Sequence, residues 1–121
     1  YPSGVDKPVY GVYELSLIDP YPNEVIICES ILNCLTCWVY GKYAVALNGT
    51  GTKQQLEQLR RMPCKKFILG LDPDDAGNRG RQKIKNYLKN DKFLSEYIIP
   101  KGKDINDLTK EQFDSLQEIF C

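Results

Sequence analysis

The sequence predicts an α/β domain built on a mostly parallel, four-stranded sheet with helices on both faces. Four short apolar segments recur along the chain, and their hydrophobicity is continuous instead of alternating. Such runs are typical of strands that are buried on both faces, as in a parallel sheet. Polar segments with apolar residues at helical spacing separate the runs, and this alternation favours an α/β layered architecture.

The predicted strands are short and fairly evenly spaced. They cover residues 25–28, 43–47, 67–71 and 97–99. Helices are expected after each strand, at residues 31–39, 52–61, 75–90 and 109–121. Because strands and helices follow one another in this order, we expect right-handed crossovers between parallel strands.

The predicted helices carry local signals for their positions. Residues 31–39 are apolar nearly all round, so this helix should be deeply packed. Thr52 and Gln55 stand at the spacing of a capping box at the start of the second helix. Gly80 lies on the apolar stripe of the helix at 75–90, where the missing side chain would let the helix approach the sheet.

The chain is interpreted as three parts of unequal size. Residues 1–20 are rich in proline and read as a linker with the end of a preceding subdomain, including one short helix or strand at 10–18. Residues 21–108 contain all four predicted strands and form the main domain. Residues 109–121, capped by Thr109, are expected to be a C-terminal helix that starts a following region.

Composition excludes several classes of site. The 121 residues include 16 basic and 16 acidic residues, so net charge does not drive the chain toward nucleic acid. The absence of histidine argues against a histidine-based zinc site or a histidine-dependent triad. Five cysteines, an odd number, favour a reducing cytoplasm. No segment is long and apolar enough to span a bilayer, so no membrane association is expected.

Polar residues follow each predicted strand at its carboxyl end, where open α/β sheets bind ligands. These residues are Glu29 after the first strand, Asn48, Gly49 and Thr50 after the second, Asp72 and Asp74 after the third, and Asp104 after the fourth. Carboxylates that converge without histidine are the ligands of Mg²⁺ or Mn²⁺. Such a site indicates phosphoryl or nucleotidyl transfer, or phosphodiester cleavage.

Each element of this pattern also has an ordinary structural explanation. Aspartates at 72, 74 and 75 precede a helix, where capping accounts for one or two of them. Basic residues along the following helix are mostly its solvated face, although Arg79 and Arg81 lie near enough to the carboxylates to bind phosphates. Cys34 and Cys37 are interpreted as packing residues of an apolar helix.

Taken together, Glu29, the motif Asp72-x-Asp74-x-Ala76-Gly77 and the loop at 47–50 resemble a Toprim domain. Toprim domains occur in bacterial-type primases, in type IA and type II topoisomerases, and in some nucleases. The segments 9–14, 40–50 and 100–108 are most similar to their primase counterparts. The resemblance covers residues 8–108.

This resemblance implies roles for the residues at matching positions. Glu29 would be the general acid/base or a metal ligand, and Asp72 and Asp74 would bind Mg²⁺ or Mn²⁺ with Asp104 as a further ligand. Asn33, Asn106 and Pro73 depart from the family pattern. Because an amide lacks the charge of a carboxylate, we expect weaker metal binding or fewer ions than in a full-motif primase.

The function implied is that of a DNA primase, which makes RNA primers from NTPs on single-stranded DNA. The loop of Asn48, Gly49 and Thr50, with Arg79 and Arg81, would contact phosphates. A replicative helicase would be contacted by regions outside this chain, and residues 1–121 alone are expected to be nearly inactive. Two alternatives stay open: a Toprim nuclease or topoisomerase, and a degenerate, non-catalytic Toprim module.

Overall fold

The computed structural model describes residues 8–49 and 51–121, which form one five-stranded sheet with helices on both faces. The strands are β1 (Glu24–Cys28), β2 (Ala44–Ala46), β3 (Lys66–Leu69), β4 (Phe93–Tyr97) and β5 (Glu118–Phe120). The α-helices are α1 (Val12–Ser16), α2 (Ile31–Val39), α3 (Lys53–Arg61), α4 (Asp75–Leu88) and α5 (Lys110–Asp114). A single 3₁₀ turn, η1, spans Ile105–Asp107.

The sheet has the order β2-β1-β3-β4-β5, with β1 and β3 side by side at its centre. The first four strands in chain order are all parallel, whereas β5 runs antiparallel to β4. Ile27 lies opposite Leu69 in the β1–β3 register. The segments that follow β1 and β3 therefore leave the sheet at the same edge, next to each other.

The core has two halves, one on each face of the sheet. Val25 and Ile27 point toward α3 and α4, whereas Ile26 and Cys28 point toward α2, η1 and α5. All four side chains are almost completely buried. Burying a side chain of this size contributes about 1.5–3 kcal/mol, so both layers of helices hold the central strands in place.

Residues 9–16 also belong to this packing. Tyr10 exchanges two main-chain hydrogen bonds with Ala46, at 2.8 and 3.0 Å, and so covers the outer edge of β2. Val9 and Leu15 are buried in the same cluster as the α3 and α4 side chains. The segment that contains the predicted short helix or strand thus pairs with the edge of the sheet and is part of the core.

Several predicted elements are confirmed closely. Thr52 and Gln55 form the expected capping box at the start of α3, and Thr109 forms one with Gln112 before α5. The helix predicted at 75–90 is α4. No helix within the described ranges is long and apolar enough to cross a membrane.

The predicted deep packing of the helix at 31–39 is wrong for its outer side. Leu32, Leu35 and Val39 are 57%, 45% and 79% exposed. The inner side of α2 packs over β1, β2 and η1, but none of the elements that the structure describes covers the outer side. An all-round apolar composition therefore did not indicate all-round burial here.

The C-terminal third also differs from the prediction. The fourth strand runs over Phe93–Tyr97 and not over residues 97–99, because β3 pairs with residues 93–96 and leaves Ile98 half exposed. The helix predicted at 109–121 ends at Asp114, and the chain then adds β5 as a fifth strand. Tyr97 pairs there with Glu118, so the sheet has five strands where four were expected.

Candidate functional site

Two acidic residues meet at the edge where β1 and β3 end. Glu29 directly follows β1, and its Oε1 accepts a hydrogen bond from the main-chain N–H of Asp72 at 3.2 Å. Asp72 stands after β3 and has one buried carboxylate oxygen, Oδ1, that lacks a hydrogen-bond partner. The parallel order of neighbouring strands thus brings together two acidic residues that are 43 positions apart.

Asp74 joins this edge as the N-cap of α4. Its carboxylate accepts a 2.6 Å hydrogen bond from the N–H of Gly77, which leaves the other oxygen available. A Cβ on Gly77 would lie 1.9 Å from the carbonyl oxygen of Asp72 and 3.0 Å from Oε1 of Glu29. Only glycine therefore allows the first turn of α4 to approach both acidic residues so closely. A Cβ on Gly80, where the helix was expected to approach the sheet, would meet the end of the Leu71 side chain at 3.3 Å.

The negative charges at this edge repel one another. Burial and the neighbouring Asp72 raise the pKa of Glu29. Burial, followed by the charges of Asp104 and Asp74, raises the pKa of Asp72. The guanidinium of Arg81 lowers both pKa values but does not offset the increase. A bound cation would relieve this repulsion, as expected of carboxylates that hold a metal.

The residues fit a metal ion that takes part of its coordination from other sources. Within residues 8–49 and 51–121, no three side chains of Asp, Glu, Cys or His form a ready set of ligands. Mg²⁺ usually binds proteins through one or two carboxylates and completes its shell with water and substrate phosphate. The unpartnered oxygen of Asp72, beside Glu29, matches that incomplete kind of site.

A cleft of about 560 Å³ opens next to the two carboxylates. Glu29 and Asp72 line it together with Asn48, Gly49, Leu71 and the α4 residues Arg79 and Lys83, among others. Asn48 has a left-handed conformation (φ 51°), and its N–H donates to the carbonyl of Glu29 at 2.6 Å. Acidic and basic residues therefore line the same cleft. Thr50, predicted to contact phosphates, lies outside the described residues.

Lys83 is a basic residue that the sequence analysis assigned to a solvated face. Its Nζ donates to the carbonyl of Gly51 at 3.1 Å, so it connects α4 with the loop after β2. Lys83 is also one helical turn after Arg79, which places both on the same side of α4. That spacing was the signal in the sequence that would have identified it.

Arg81 has a different environment from Arg79. Its side chain is only 16% exposed, and Nη1 donates to the carbonyls of Leu71 and Asp72 at 3.2 and 3.1 Å. Its Nε lies 3.7 Å from Oε2 of Glu96 on β4. The guanidinium thus already has protein partners, which favours a supporting role over the predicted phosphate contact.

Asp104 lies on the other side of Asp72. It forms a reciprocal capping box with Asp107 around η1, and both residues line a shallow pocket with Asp72 and Asp74. Asp104 therefore contributes negative charge to the site, while one of its oxygens is occupied by the N–H of Asp107 at 3.1 Å.

The two amides that replace family carboxylates contact one another's helices. Asn33 is buried, and its Oδ1 accepts from the N–H of Asn106 at 2.9 Å. Thr36 donates to Oδ1 of Asn106 at 3.0 Å. These bonds join α2 to η1, so both amides act in packing at this place in the structure.

The cysteines of α2 are buried, as predicted for packing residues. Cys34 and Cys37 are both inaccessible to solvent, and the Sγ atoms of Cys37 and Cys28 are 3.8 Å apart. Burial raises the pKa of Cys34 to about 12. A thiol with that pKa stays protonated at neutral pH, so it is a poor metal ligand or nucleophile.

Comparison with known proteins identifies a Toprim-like family model and several DNA primases as similar to this chain. A family model described as Toprim-like matches residues 26–109. The DNA primase of Escherichia coli (strain K12) is 28% identical over 121 aligned positions, which cover 93% of this chain and 21% of the primase. The chain therefore spans about a fifth of the length of that relative.

Solved structures share the fold. A DNA primase domain from Pseudomonas aeruginosa superposes with a TM-score of 0.74 at 20% identity, over 93% of this chain and 39% of that one. The DnaG primase catalytic domain bound to single-stranded DNA has a TM-score of 0.73 at 26% identity, over 88% of this chain and 37% of that one. The predicted α/β class and the resemblance drawn from the motifs are confirmed.

Proposed function

Since this chain belongs to the Toprim-like family, we propose that it is the metal-dependent catalytic part of a DNA primase. The reaction would join ribonucleotides from NTPs into RNA primers on single-stranded DNA. The relationship to DNA primases supports an enzyme of the nucleotidyltransferase type. The observation that carries the proposal is the contact between Glu29 and Asp72, whose buried oxygen has no partner.

The residues at the edge divide the chemistry between them. Asp72, Glu29 and the available oxygen of Asp74 would hold Mg²⁺ or Mn²⁺, which supplies positive charge for the reacting phosphate when bound. Burial beside Asp72 moves the pKa of Glu29 toward the range in which a carboxyl group serves as general acid or base. In the alternative in which Asp72 and Asp74 alone hold the cation, Glu29 is thus the proposed site of proton exchange.

The basic residues of the cleft would bind the phosphates. Arg79 and Lys83 supply positive charge one helical turn apart, and the loop at Asn48 and Gly49 faces them. A triphosphate bound in this cleft would place its reacting end near the carboxylates and its charge near the basic residues. NTPs and single-stranded DNA are the proposed partners, whereas a replicative helicase would be bound by regions outside this chain.

The first test is metal binding measured by the electron paramagnetic resonance signal of free Mn²⁺. We expect the wild-type chain to bind Mn²⁺ and the Asp72→Asn, Asp74→Asn double variant to lose that binding. Asp91→Asn, which changes an exposed acid outside the cleft, is the control and should bind normally. Equal binding by all three chains would contradict the proposed metal site.

The second test asks whether the metal site serves nucleotides. ATP should bind more tightly with Mn²⁺ present than without it, and the gain should vanish in the Asp72→Asn, Asp74→Asn variant. For the reaction itself, residues 8–121 would replace the matching segment of the E. coli primase, and primer synthesis would be measured. Cleavage of supercoiled DNA by the chimera in place of primer synthesis would favour a nuclease.

A non-catalytic Toprim module is the second candidate, because Asn33 and Asn106 stand where the family has two acidic residues and their amides bond to the main chain of η1 and to Thr36. It predicts that the chain binds single-stranded DNA equally well with and without Mn²⁺. It also predicts that the Asp72→Asn, Asp74→Asn variant retains that binding. Primer synthesis by the chimera that is lost in its Asp72→Asn, Asp74→Asn variant would exclude this candidate.

A further inference from the structure

Arg81 contacts the main chain of Asp72, yet within the described part of the chain it does not pair with the Asp72 carboxylate. Its Nη1 donates to two carbonyls, those of Leu71 and Asp72. Nη2 donates to Oδ1 of Asn78 on the same helix. Among the described residues, its ion pair is with Glu96, and Oδ1 of Asp72 remains without a hydrogen bond.

Glu96 is the acidic residue that Arg81 faces in place of the Asp72 carboxylate. It lies on β4 opposite Leu69 of β3, and its side chain is only 19% exposed. Its Oε2 is buried, makes no hydrogen bond, and has the two cations Arg81 and Lys85 at 3.7 and 3.3 Å. A buried carboxylate of this kind needs nearby positive charge, and Arg81 supplies part of it.

The alternative arrangement would block the site. An arginine released from Glu96 has a fork of donors that matches a carboxylate, and among the described residues the other carboxylate with a buried, unpartnered oxygen is that of Asp72. A salt bridge there would neutralise the charge that a cation needs and would occupy the free oxygen. The position of Arg81 therefore decides whether Asp72 is open to a metal.

We propose that Glu96 is a positioning residue that holds Arg81 against the carbonyls of Leu71 and Asp72 and thereby keeps the Asp72 carboxylate open to a divalent cation. This inference rests on the proposed metal site. Glu96 is on β4, a strand that supplies no proposed metal ligand. Arg81 would support the site and would not bind phosphate.

The test is a double-mutant cycle of Glu96→Gln and Arg81→Met in this chain, with Mn²⁺ affinity as the readout. Glu96→Gln alone should weaken Mn²⁺ binding about 10-fold, the scale of changes to groups that orient metal ligands. In the Arg81→Met background, the same substitution should change affinity less than about two-fold, because no guanidinium remains to occupy Asp72. Lys85→Met removes the other partner of Glu96 without touching the Asp72 carbonyl, and it should bind Mn²⁺ normally.

A second readout needs no metal. The pKa of Asp72, followed by carbon NMR of its carboxyl group, should fall in Glu96→Gln because Arg81 then pairs with it. It should stay unchanged when Glu96→Gln is added to Arg81→Met. Thermal unfolding confirms that each variant is folded, and Arg81→Gln replaces Arg81→Met if the latter is not.

The outcomes separate this inference from the proposed function. Wild-type chain that binds no Mn²⁺ would refute the metal site, and the pKa of Asp72 would still test the coupling of Glu96 to Arg81. Normal Mn²⁺ affinity in Glu96→Gln would overturn the inference and leave the metal site intact. An equal loss in both backgrounds would also overturn it, since Glu96 would then act by its charge alone.

Discussion

Replacing Gly77 by alanine is expected to damage the site more than any comparable change on α4. The new Cβ would lie 1.9 Å from the carbonyl oxygen of Asp72, whereas real Cβ atoms essentially never come within 3.0 Å of such an atom. The first turn of α4 or the Asp72 segment must therefore move by about 1 Å or more. The obstacle is main chain, so no side-chain rotation can relieve it.

The magnitude follows from that displacement. Overpacking of a rigid site costs about 1–3 kcal/mol of folding stability. The same movement separates Asp72 from Glu29, so Mn²⁺ affinity should fall about 10- to 100-fold. Thermal unfolding measures the first effect, and the electron paramagnetic resonance signal of free Mn²⁺ measures the second.

Gly80→Ala is the matched control, since it makes the same change one turn later in the same helix. Its Cβ would meet only the flexible end of Leu71 at 3.3 Å. Alanine favours helix over glycine by up to about 1 kcal/mol, so stability should hold or rise and Mn²⁺ affinity should stay normal. If Gly77→Ala bound Mn²⁺ as tightly as Gly80→Ala, the close approach would not organise the site.

Three further predictions concern charge, phosphate binding and capping. Asp72→Asn should stabilise the metal-free protein at pH 7. The pKa of Asp72 is higher in the folded protein than in the unfolded protein, so the wild type loses stability as the pH rises from the unfolded-state pKa to the folded-state pKa. The variant has no carboxyl group at this position and does not lose that stability. Its advantage should shrink as pH falls through that range in thermal unfolding, and a constant advantage would contradict the assigned cause. Arg79→Gln and Lys83→Gln should each weaken Mn²⁺-dependent ATP binding about 10-fold with little effect on Mn²⁺ affinity. Lys89→Gln, at the C-cap of α4, is the control and should leave both ATP binding and Mn²⁺ affinity unchanged. Thr52→Ala should lower the free energy of unfolding by about 1 kcal/mol through loss of the α3 cap, with Mn²⁺ binding unchanged.

The acidic edge could be predicted because it depends on strand order alone. Continuous apolar runs indicated parallel strands, and parallel strands place the residues after them at one edge. Glu29 and Asp72 follow neighbouring strands, and they are in contact as expected. The predicted helix at 75–90 also placed Asp74 at the start of α4, where it caps the helix.

The supporting residues could not be found in this way. Glu96 was missed because the predicted fourth strand was assigned to the apolar run at 97–99. The actual strand, β4, has few buried positions and so no continuous apolar run. Packing of β4 between β3 and β5 defines that strand, and this depends on contacts distant in sequence. Gly77 was visible as part of a motif, but its distance from the Asp72 carbonyl exists only in three dimensions.

The outer side of α2 shows the same limit from another direction. Composition gives the apolar content of a helix but not the number of its neighbours. Leu32 and Val39 are exposed because α2 packs on one face of the sheet and has no covering layer among the described residues. Asn33, on the inner side, is buried by its bond to η1 and not by hydrophobicity.

The most direct measurement is a crystal structure of this chain grown with Mn²⁺, in which anomalous scattering locates the metal. An anomalous peak coordinated by the carboxylates of Glu29 and Asp72, at the edge where β1 and β3 end, is the predicted result. A peak bound only by other residues, or a crystal in which the two carboxylates bind no metal at saturating Mn²⁺, would contradict it.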